Sequence, residues 1–378
     1  MSEITEVLAA IESLRERGER MALATVVSVR GSAFRRPGAR LLVPESGDPI
    51  GNISAGCLEG DVAEVAKLVM ADGRAQMAYY DLTADDEAVW GWGLGCNGAI
   101  DVFVEPAEKA AEVAGALRMA IEEERPICMV TVLDSSVPGV DQGNRLLVGP
   151  EGYVQGSLGS PETDARAESI AMDLLGQERS ETRVIPAPGG EVRAFVEVLE
   201  PPLRLVVCGA GHDAIALVRT ASWLGWRVLV ADDRPAFLNG ERFPEASGFV
   251  HVERPDEISA AAGVDDRTFV VVMTHNFLRD KEYLRSLISS EAPYVGMLGA
   301  AARTERLLRE LADERVSPTQ EQRSRIHGPA GLDLGSEGPE EIAQAIVAEI
   351  LAVKRGRAGG FLKERKGPIH GRSEAEAR

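Results

Sequence analysis

The stretch Leu203-Arg204-Leu205-Val206-Val207-Cys208-Gly209-Ala210-Gly211-His212-Asp213-Ala214 decides the fold of the second half of the chain. The apolar run Leu205 to Cys208 reads as a strand buried on both faces, the usual kind in parallel sheets. The turn after it has the pattern G-x-G-x-x-A. Gly209 permits a tight turn, Gly211 lets backbone approach a phosphate, and Ala214 lets the following helix pack closely on the sheet. Unpaired N–H groups at that helix start offer partial positive charge to an anion. Asp232 ends the next strand, about 20 residues further on, where an acid binds a ribose hydroxyl. The expected fold is a Rossmann-type, doubly wound parallel sheet.

Residues 201–358 continue in the same alternating style. Further strands are expected at 227–231, 248–252, 268–273 and 294–298, with helices at 214–224, 279–289, 302–311 and 340–353. Pro201-Pro202 marks the boundary with what precedes. Residues 359–378 are charged and Gly/Pro-rich and read as a flexible tail.

Residues 1–200 read as a separate α/β domain. Helices are expected at 3–18 and 61–70, and strands at 21–29, 41–43, 50–53 and 100–104. The region 126–201 repeats the plan of 20–106. Ala22-Leu23-Ala24-Thr25-Val26-Val27 matches Cys128-Met129-Val130-Thr131-Val132-Leu133, and Gly38-Ala39-Arg40-Leu41-Leu42-Val43 matches Gly143-Asn144-Arg145-Leu146-Leu147-Val148. Each copy ends in a β run into Glu-Pro, at Glu105-Pro106 and Glu200-Pro201. The second copy shows no counterpart of Arg35, Arg36, Cys57, Glu59 or Cys96, so those residues become candidates for chemistry rather than folding.

Composition removes several classes. A formal net charge of −19 without a dense basic face argues against nucleic-acid binding. No apolar run is long enough to span a bilayer, and the charged helical pattern of residues 1–20 is not that of a signal peptide. The four cysteines, Cys57, Cys96, Cys128 and Cys208, have no metal, iron–sulfur or disulfide spacing. A soluble cytoplasmic protein with no metal site of its own is expected.

Four constellations carry the candidate residues. Gly209, Gly211, His212 and Ala214, with Asp232, form the phosphate turn and its ribose acid. Thr274 and His275 follow the fourth strand, where open α/β sheets bind ligands. His212, His275 and His327 are expected to face one crevice as acid–base groups or metal ligands. Cys57 lies just before a helix start, a position that favours thiolate, with Glu59 as a helix-start acid or proton carrier and Arg35 and Arg36 as added positive charge. Cys96 sits in the glycine-rich run Trp92-Gly93-Leu94-Gly95-Cys96-Asn97-Gly98, where glycines allow close approach of backbone to a ligand. Cys57, Cys96, Glu59 and His275 are the catalytic candidates.

Taken in order, these motifs resemble the XdhC/CoxI family, accessory proteins of xanthine dehydrogenase and related molybdenum hydroxylases. The matching residues are Gly31-Ser32-Ala33 with Arg35-Arg36-Pro37-Gly38, Gly56-Cys57-Leu58-Glu59, Gly95-Cys96, Gly209-Ala210-Gly211-His212, Asp232 with Arg234-Pro235, Thr274-His275, the run Tyr294-Val295-Gly296-Met297-Leu298-Gly299, Gly331-Leu332-Asp333, and Pro339-Glu340-Glu341-Ile342-Ala343. The resemblance implies a protein that binds molybdenum cofactor (a pterin whose dithiolene holds molybdenum), supports its sulfuration, and delivers it to an apo-hydroxylase. It further implies a homodimer, and a sulfur-donating desulfurase as a possible partner. Phe34, Ala55, Asn97, Ala300 and Ala301 depart from the family's usual residues; the last two remove a hydroxyl and a charge suited to phosphate. Two other functions remain open from the residues: an NAD(P)-dependent oxidoreductase, in which Asp232 would favour NAD, and a non-catalytic docking protein. A xanthine dehydrogenase proper is disfavoured, because iron–sulfur cysteine spacings are missing.

Overall fold

The computed structural model describes residues 3–32, 34–81 and 97–366. Contacts divide the chain into two compact units that meet in sequence at Pro201 and Pro202.

The N-terminal unit opens with helix α1 (Glu3–Glu16). Strands β1 (Met21–Ser32), β2 (Arg40–Pro44) and β3 (Ile50–Gly51) follow, then helix α2 (Glu59–Asp72) and strands β4 (Gln76–Asp81) and β5 (Asn97–Pro106). After helix α3 (Ala107–Glu122) the plan recurs: β6 (Ile127–Ser135), β7 (Arg145–Gly149), β8 (Tyr153–Ser157), helix α4 (Pro161–Gly176), β9 (Glu181–Ala187) and β10 (Gly190–Leu199). Each copy is a five-stranded antiparallel sheet, in the orders β3-β2-β1-β5-β4 and β8-β7-β6-β10-β9. The expected repeat is therefore present as one topology drawn twice. Sequence reading passed over α3, β4 and β9, and it ended β1 too early.

Strand register corrects how the copies align. Leu23 of β1 faces Glu105, and Met129 of β6 faces Glu197. Glu105 thus corresponds to Glu197, three residues before the Glu200-Pro201 that sequence matched to it. The correction exposes a reciprocal interface. Arg40 of the first copy is paired with Glu197 of the second at 2.6 Å, and Arg145 of the second is paired with Glu105 of the first. All four side chains are buried. Between the sheets, Val27, Phe103, Leu133 and Phe195 form a small shared core of two equivalent pairs. Helices α1 and α3 pack together on another shared core, lined by Val7, Ile11, Val113 and Leu117.

The C-terminal unit is built on β11 (Arg204–Cys208), helix α5 (His212–Trp223), β12 (Arg227–Asp232), β13 (Gly248–His251), short helix α6 (Ile258–Ala261) and β14 (Thr268–Val272). Helix α7 (Phe277–Ile288), β15 (Tyr294–Met297), α8 (Ala301–Asp313), α9 (Gln320–Ser324), β16 (Ile326–His327) and α10 (Pro339–Lys354) complete it. All six strands are parallel, in the order β13-β12-β11-β14-β15-β16. That is the doubly wound Rossmann order. Apolar clusters cover both faces of the sheet, one under α5 and α10 and one under α7 and α8, as continuous apolar strands require. Residues 359–366, read as tail, carry a single 3-10 turn at Leu362–Glu364, and Gly359 lies against Leu332. Among the described residues no helix is long and apolar enough to cross a membrane.

Burial pushes the Glu197 carboxyl upward, against the pull of Arg40. The pair therefore depends on both partners. Arg40→Met is expected to strand Glu197 and lower stability by about 3–5 kcal/mol, whereas the double change Arg40→Met with Glu197→Leu recovers most of the loss. Urea unfolding measures both, and a single-variant loss below about 1 kcal/mol would contradict the assignment.

Candidate functional site

Three strand ends build the crevice in the C-terminal unit. β11 lies between β12 and β14, and the strand order reverses between β11 and β14. Ligands of open α/β sheets bind at that reversal, outside the carboxyl ends of the strands.

The two glycines of the turn do different work. Gly209 has a φ of +117°, and a Cβ there would stand 2.8 Å from the Met273 carbonyl oxygen. The fold itself needs that glycine, because no other residue fits the conformation and the contact. Gly211 has a φ of −69°, open to any residue. A Cβ at Gly211 would meet nothing nearer than His275 Cδ2 at 3.9 Å. The protein's own packing leaves that space clear. Behind it α5 begins with no side-chain cap, so its first amides are not taken by a capping residue. Ala214 is fully buried against the sheet, as expected.

Asp232 is placed differently from the expectation. It is 2% exposed. One oxygen accepts the Ala210 amide at 2.7 Å and Arg234 Nη2 at 2.9 Å; the other accepts the Arg234 amide at 2.9 Å and Arg234 Nε at 2.8 Å. Against the cost of burial, the bonds from Arg234 and Ala210 hold its carboxyl down at about 2. Asp232 is thus the clamp of the turn. It has no free acceptor for a ribose, and the expected preference for NAD does not follow from it.

His275 and Thr274 follow β14. His275 stands at a φ of +58°, and its exposed ring brings Nε2 to 3.1 Å from Asp213 Oδ2 in the first turn of α5. The pair sits at the lip of the turn, and Asp213 was not singled out from sequence. His212, the first residue of α5, is exposed. Thr274 turns inward: its hydroxyl donates to Asp280 at 2.5 Å, and Asp280, itself buried, binds Arg303 at 2.6 Å. Arg303 lies against Gly299. A guanidinium therefore stands near the place where Ala300 and Ala301 lack charge. Sequence reading missed it because it lies two residues further on, in the first turn of α8.

His327 does not join this crevice. Its Nδ1 is 3.1 Å from Glu349 on α10, and its ring stacks on Tyr294 at 4.5 Å. Glu349 also accepts the Tyr294 hydroxyl at 2.6 Å and the Gly331 amide at 2.8 Å. His327 is thereby committed to a half-buried network that ties α10 to the sheet. Among the described residues no group of three or more His, Cys, Asp or Glu could hold a metal.

In the N-terminal unit, Cys57 is partly buried in a loop formed by Ala55 and Gly56 at positive φ. Glu59 organises that loop. It accepts the amides of Ile53 (3.1 Å), Ser54 (2.9 Å), Gly56 (2.9 Å) and Leu58 (3.2 Å), and the Ser54 hydroxyl (2.5 Å). Burial raises its pKa, yet these bonds prevail and leave it lowered. Glu59 is therefore held as an anion, which suits a loop organiser better than a proton carrier. The amides on either side of Cys57 are bound to Glu59, not open to a thiolate as the helix-start position had implied.

Glu59 also has a counterpart after all. Gly51 and Gly156 occupy the same place in the two copies, each against the carbonyl of its Arg40 or Arg145. Two residues on, the Leu158 amide donates to Asp164 at 2.7 Å, as Ile53 does to Glu59. An acid here belongs to the fold. Cys57, Arg35 and Arg36 keep their status as extras, because Glu162, Val140 and Asp141 stand at the equivalent spacing. Arg35 Nε donates to Asn52 Oδ1 at 3.0 Å, and the same oxygen accepts the Ala55 amide at 2.9 Å. Arg35 is thus brought to the Cys57 loop through Asn52. Arg36 makes no side-chain hydrogen bond or ion pair among the described residues. Cys96 lies outside the described residues.

Residues 205–350 match the XdhC Rossmann domain, and residues 14–81 match the XdhC and CoxI family. A Bacillus subtilis protein described as a probable xanthine dehydrogenase subunit is 30% identical over 91% of this chain and 96% of its own. The chain belongs to the XdhC/CoxI family. The Escherichia coli molybdenum cofactor insertion chaperone PaoD is 24% identical over 91% of this chain and 86% of its own. A solved structure from Bacillus halodurans, described as a xanthine dehydrogenase, superposes with a TM-score of 0.74 at 29% identity, covering 93% of this chain and 96% of that one. In this XdhC/CoxI chain the two family matches take in both places described above, the Cys57 loop and the glycine turn.

The clamp gives a pH prediction. A carboxyl lowered in the folded state stabilises the fold above the ordinary carboxylate range, and that contribution is lost as pH falls toward 2. Asp232→Asn is expected to cost about 2 kcal/mol at neutral pH, and the gap to the parent should narrow between about pH 4 and pH 2. Denaturant titrations across that range check it; a gap independent of pH would contradict the clamp.

Proposed function

We propose that this chain is a maturation factor that binds molybdenum cofactor, supports its sulfuration and delivers it to a xanthine dehydrogenase-type molybdenum hydroxylase. The observation that carries the reading is Gly211: packing does not require a glycine there, so the missing side chain is best explained by a ligand that occupies the space. The uncapped start of α5 behind it offers backbone N–H groups to a phosphate. The relatives named for molybdenum cofactor insertion and for a part of xanthine dehydrogenase support the same direction.

The residues fit such a group. The α5 amides suit its phosphate, and the His275–Asp213 pair at the lip can hold or move a proton at Nε2. When bound, the cofactor supplies molybdenum held by a pterin dithiolene. Cys57 is the soft donor on this chain suited to molybdenum or sulfur chemistry, with Arg35 and Arg36 attracting anions to its loop and Cys96 as a second thiol. In this reading Glu59 keeps the loop in shape. The protein works in the cytoplasm as a homodimer, and a desulfurase donates the sulfur.

Denaturation of the purified protein is expected to release a pterin detectable by fluorescence and mass spectrometry. Gly211→Val should lower that yield about tenfold or more at unchanged melting temperature, the size of effect expected from losing one or two good anion contacts. Cys57→Ala should retain the pterin yet fail to activate an apo-hydroxylase. Full pterin retention by Gly211→Val would remove the turn from the cofactor site, and normal activation by Cys57→Ala would remove the thiol from the transfer step.

A further inference from the structure

The end of β12 is where a dinucleotide-binding Rossmann fold reads the ribose: an acid there accepts from the sugar hydroxyls, and an arginine nearby accommodates a 2′-phosphate. In this chain the acid is withdrawn. Asp232 is buried and both its oxygens are occupied by Ala210 and Arg234. The outward side of the same strand end is positive. The guanidinium groups of Arg234 and Arg242 lie over the Phe237 ring at 4.2 and 4.9 Å from its centroid. Arg234 is balanced by Asp232, and Arg279 by Asp233 at 2.6 Å.

Arg242 has no such balance. Its Nη2 donates to the Ala210 carbonyl at 3.1 Å, inside the glycine turn. It forms no ion pair with a carboxylate among the described residues, and its Nε is buried without an acceptor. Of these three guanidinium groups, Arg242 is the one without a carboxylate partner among the described residues, and it stands beside the glycine turn. In a chain of net charge −19, an unbalanced arginine fixed by an aromatic ring and a backbone carbonyl is a place for an anion. Its planar fork suits the oxygens of a phosphate.

We infer that this strand end recognises a phosphomonoester, where an NAD-binding fold would read a ribose diol, with Arg242 as the specificity-determining residue and Arg234 beside it. The inference rests on the reading that the Gly209–Gly211 turn holds a phosphate-bearing ligand. It fixes the side of the crevice on which a phosphomonoester of that ligand lies.

Calorimetric titration of the full chain with 2′,5′-ADP and 5′-ADP tests it, because the two nucleotides match in phosphate number and differ in where the second phosphate sits. The expected result is that 2′,5′-ADP binds about tenfold tighter, the size of one charge-assisted contact. In Arg242→Met that preference should fall to about one, with 5′-ADP binding little changed; Arg242→Lys, which keeps the charge but not the fork, should fall between. Equal binding of both nucleotides by the parent, or a preference that survives in Arg242→Met, overturns the inference. If both bind equally and Gly211→Val abolishes both, the phosphate turn stands and only Arg242 is lost. If neither binds, the inference fails, while the molybdenum cofactor reading is decided separately by pterin release.

Discussion

One hydrogen bond, from the Ala210 amide to the buried Asp232 carboxylate, fixes the arrangement on which the candidate cofactor site depends. It joins the turn after the first Rossmann strand to the end of the second. Gly209 wedges the other side of the turn against Met273 and Thr274. The turn is thereby held on two sides by neighbouring strand ends, and the open start of α5 is aimed away from the packed core. A carboxylate that in other dinucleotide folds faces the ligand here faces the backbone. In the function proposed here, ligand recognition passes to groups around it: the α5 amides, the Asp213–His275 pair and Arg242.

The N-terminal unit obeys a different constraint. Two copies of one five-stranded sheet are joined by crossed ion pairs, Arg40 with Glu197 and Arg145 with Glu105, in which each copy completes the other. The equivalent loops after β3 and β8 keep an acid that binds the loop backbone: Glu59 accepts four amides in one, and Asp164 accepts the Leu158 amide in the other. What distinguishes the first loop is therefore narrow: Cys57, and Arg35 brought to it through Asn52. Comparing the two copies in structure separates what the fold uses from what it does not require more sharply than sequence matching does.

Much of the fold was legible because its signals are local. Apolar runs such as Val270-Val271-Val272 cannot be anything but buried, and their alternation with helices spells a parallel sheet. The elements passed over had weaker patterns. β4 is half-exposed on both faces, α3 is rich in alanine, and β16 has two residues. The site was legible only where a residue's role is set by its neighbours in sequence, as for Gly209, Gly211 and Ala214. Asp232 was found in the right place with the wrong partner, because nothing local shows that Ala210 and Arg234 both reach it. His327 was drawn away by Glu349, 22 residues further on. Glu59 seemed unique because its counterpart is an aspartate in a loop of different sequence. Arg242 carries no motif, and only tertiary contact with Ala210 and Phe237 reveals it.

In the proposed site the first amides of α5 are free to bind an anion while Ala210 is already engaged. Backbone amide NMR of the isotope-labelled protein, titrated with inorganic phosphate, tests this most directly. Saturable shifts are expected at Gly211, His212 and Asp213, with Ala210 moving little. Shifts absent from those three amides, with the largest changes scattered over surface arginines elsewhere, would contradict it.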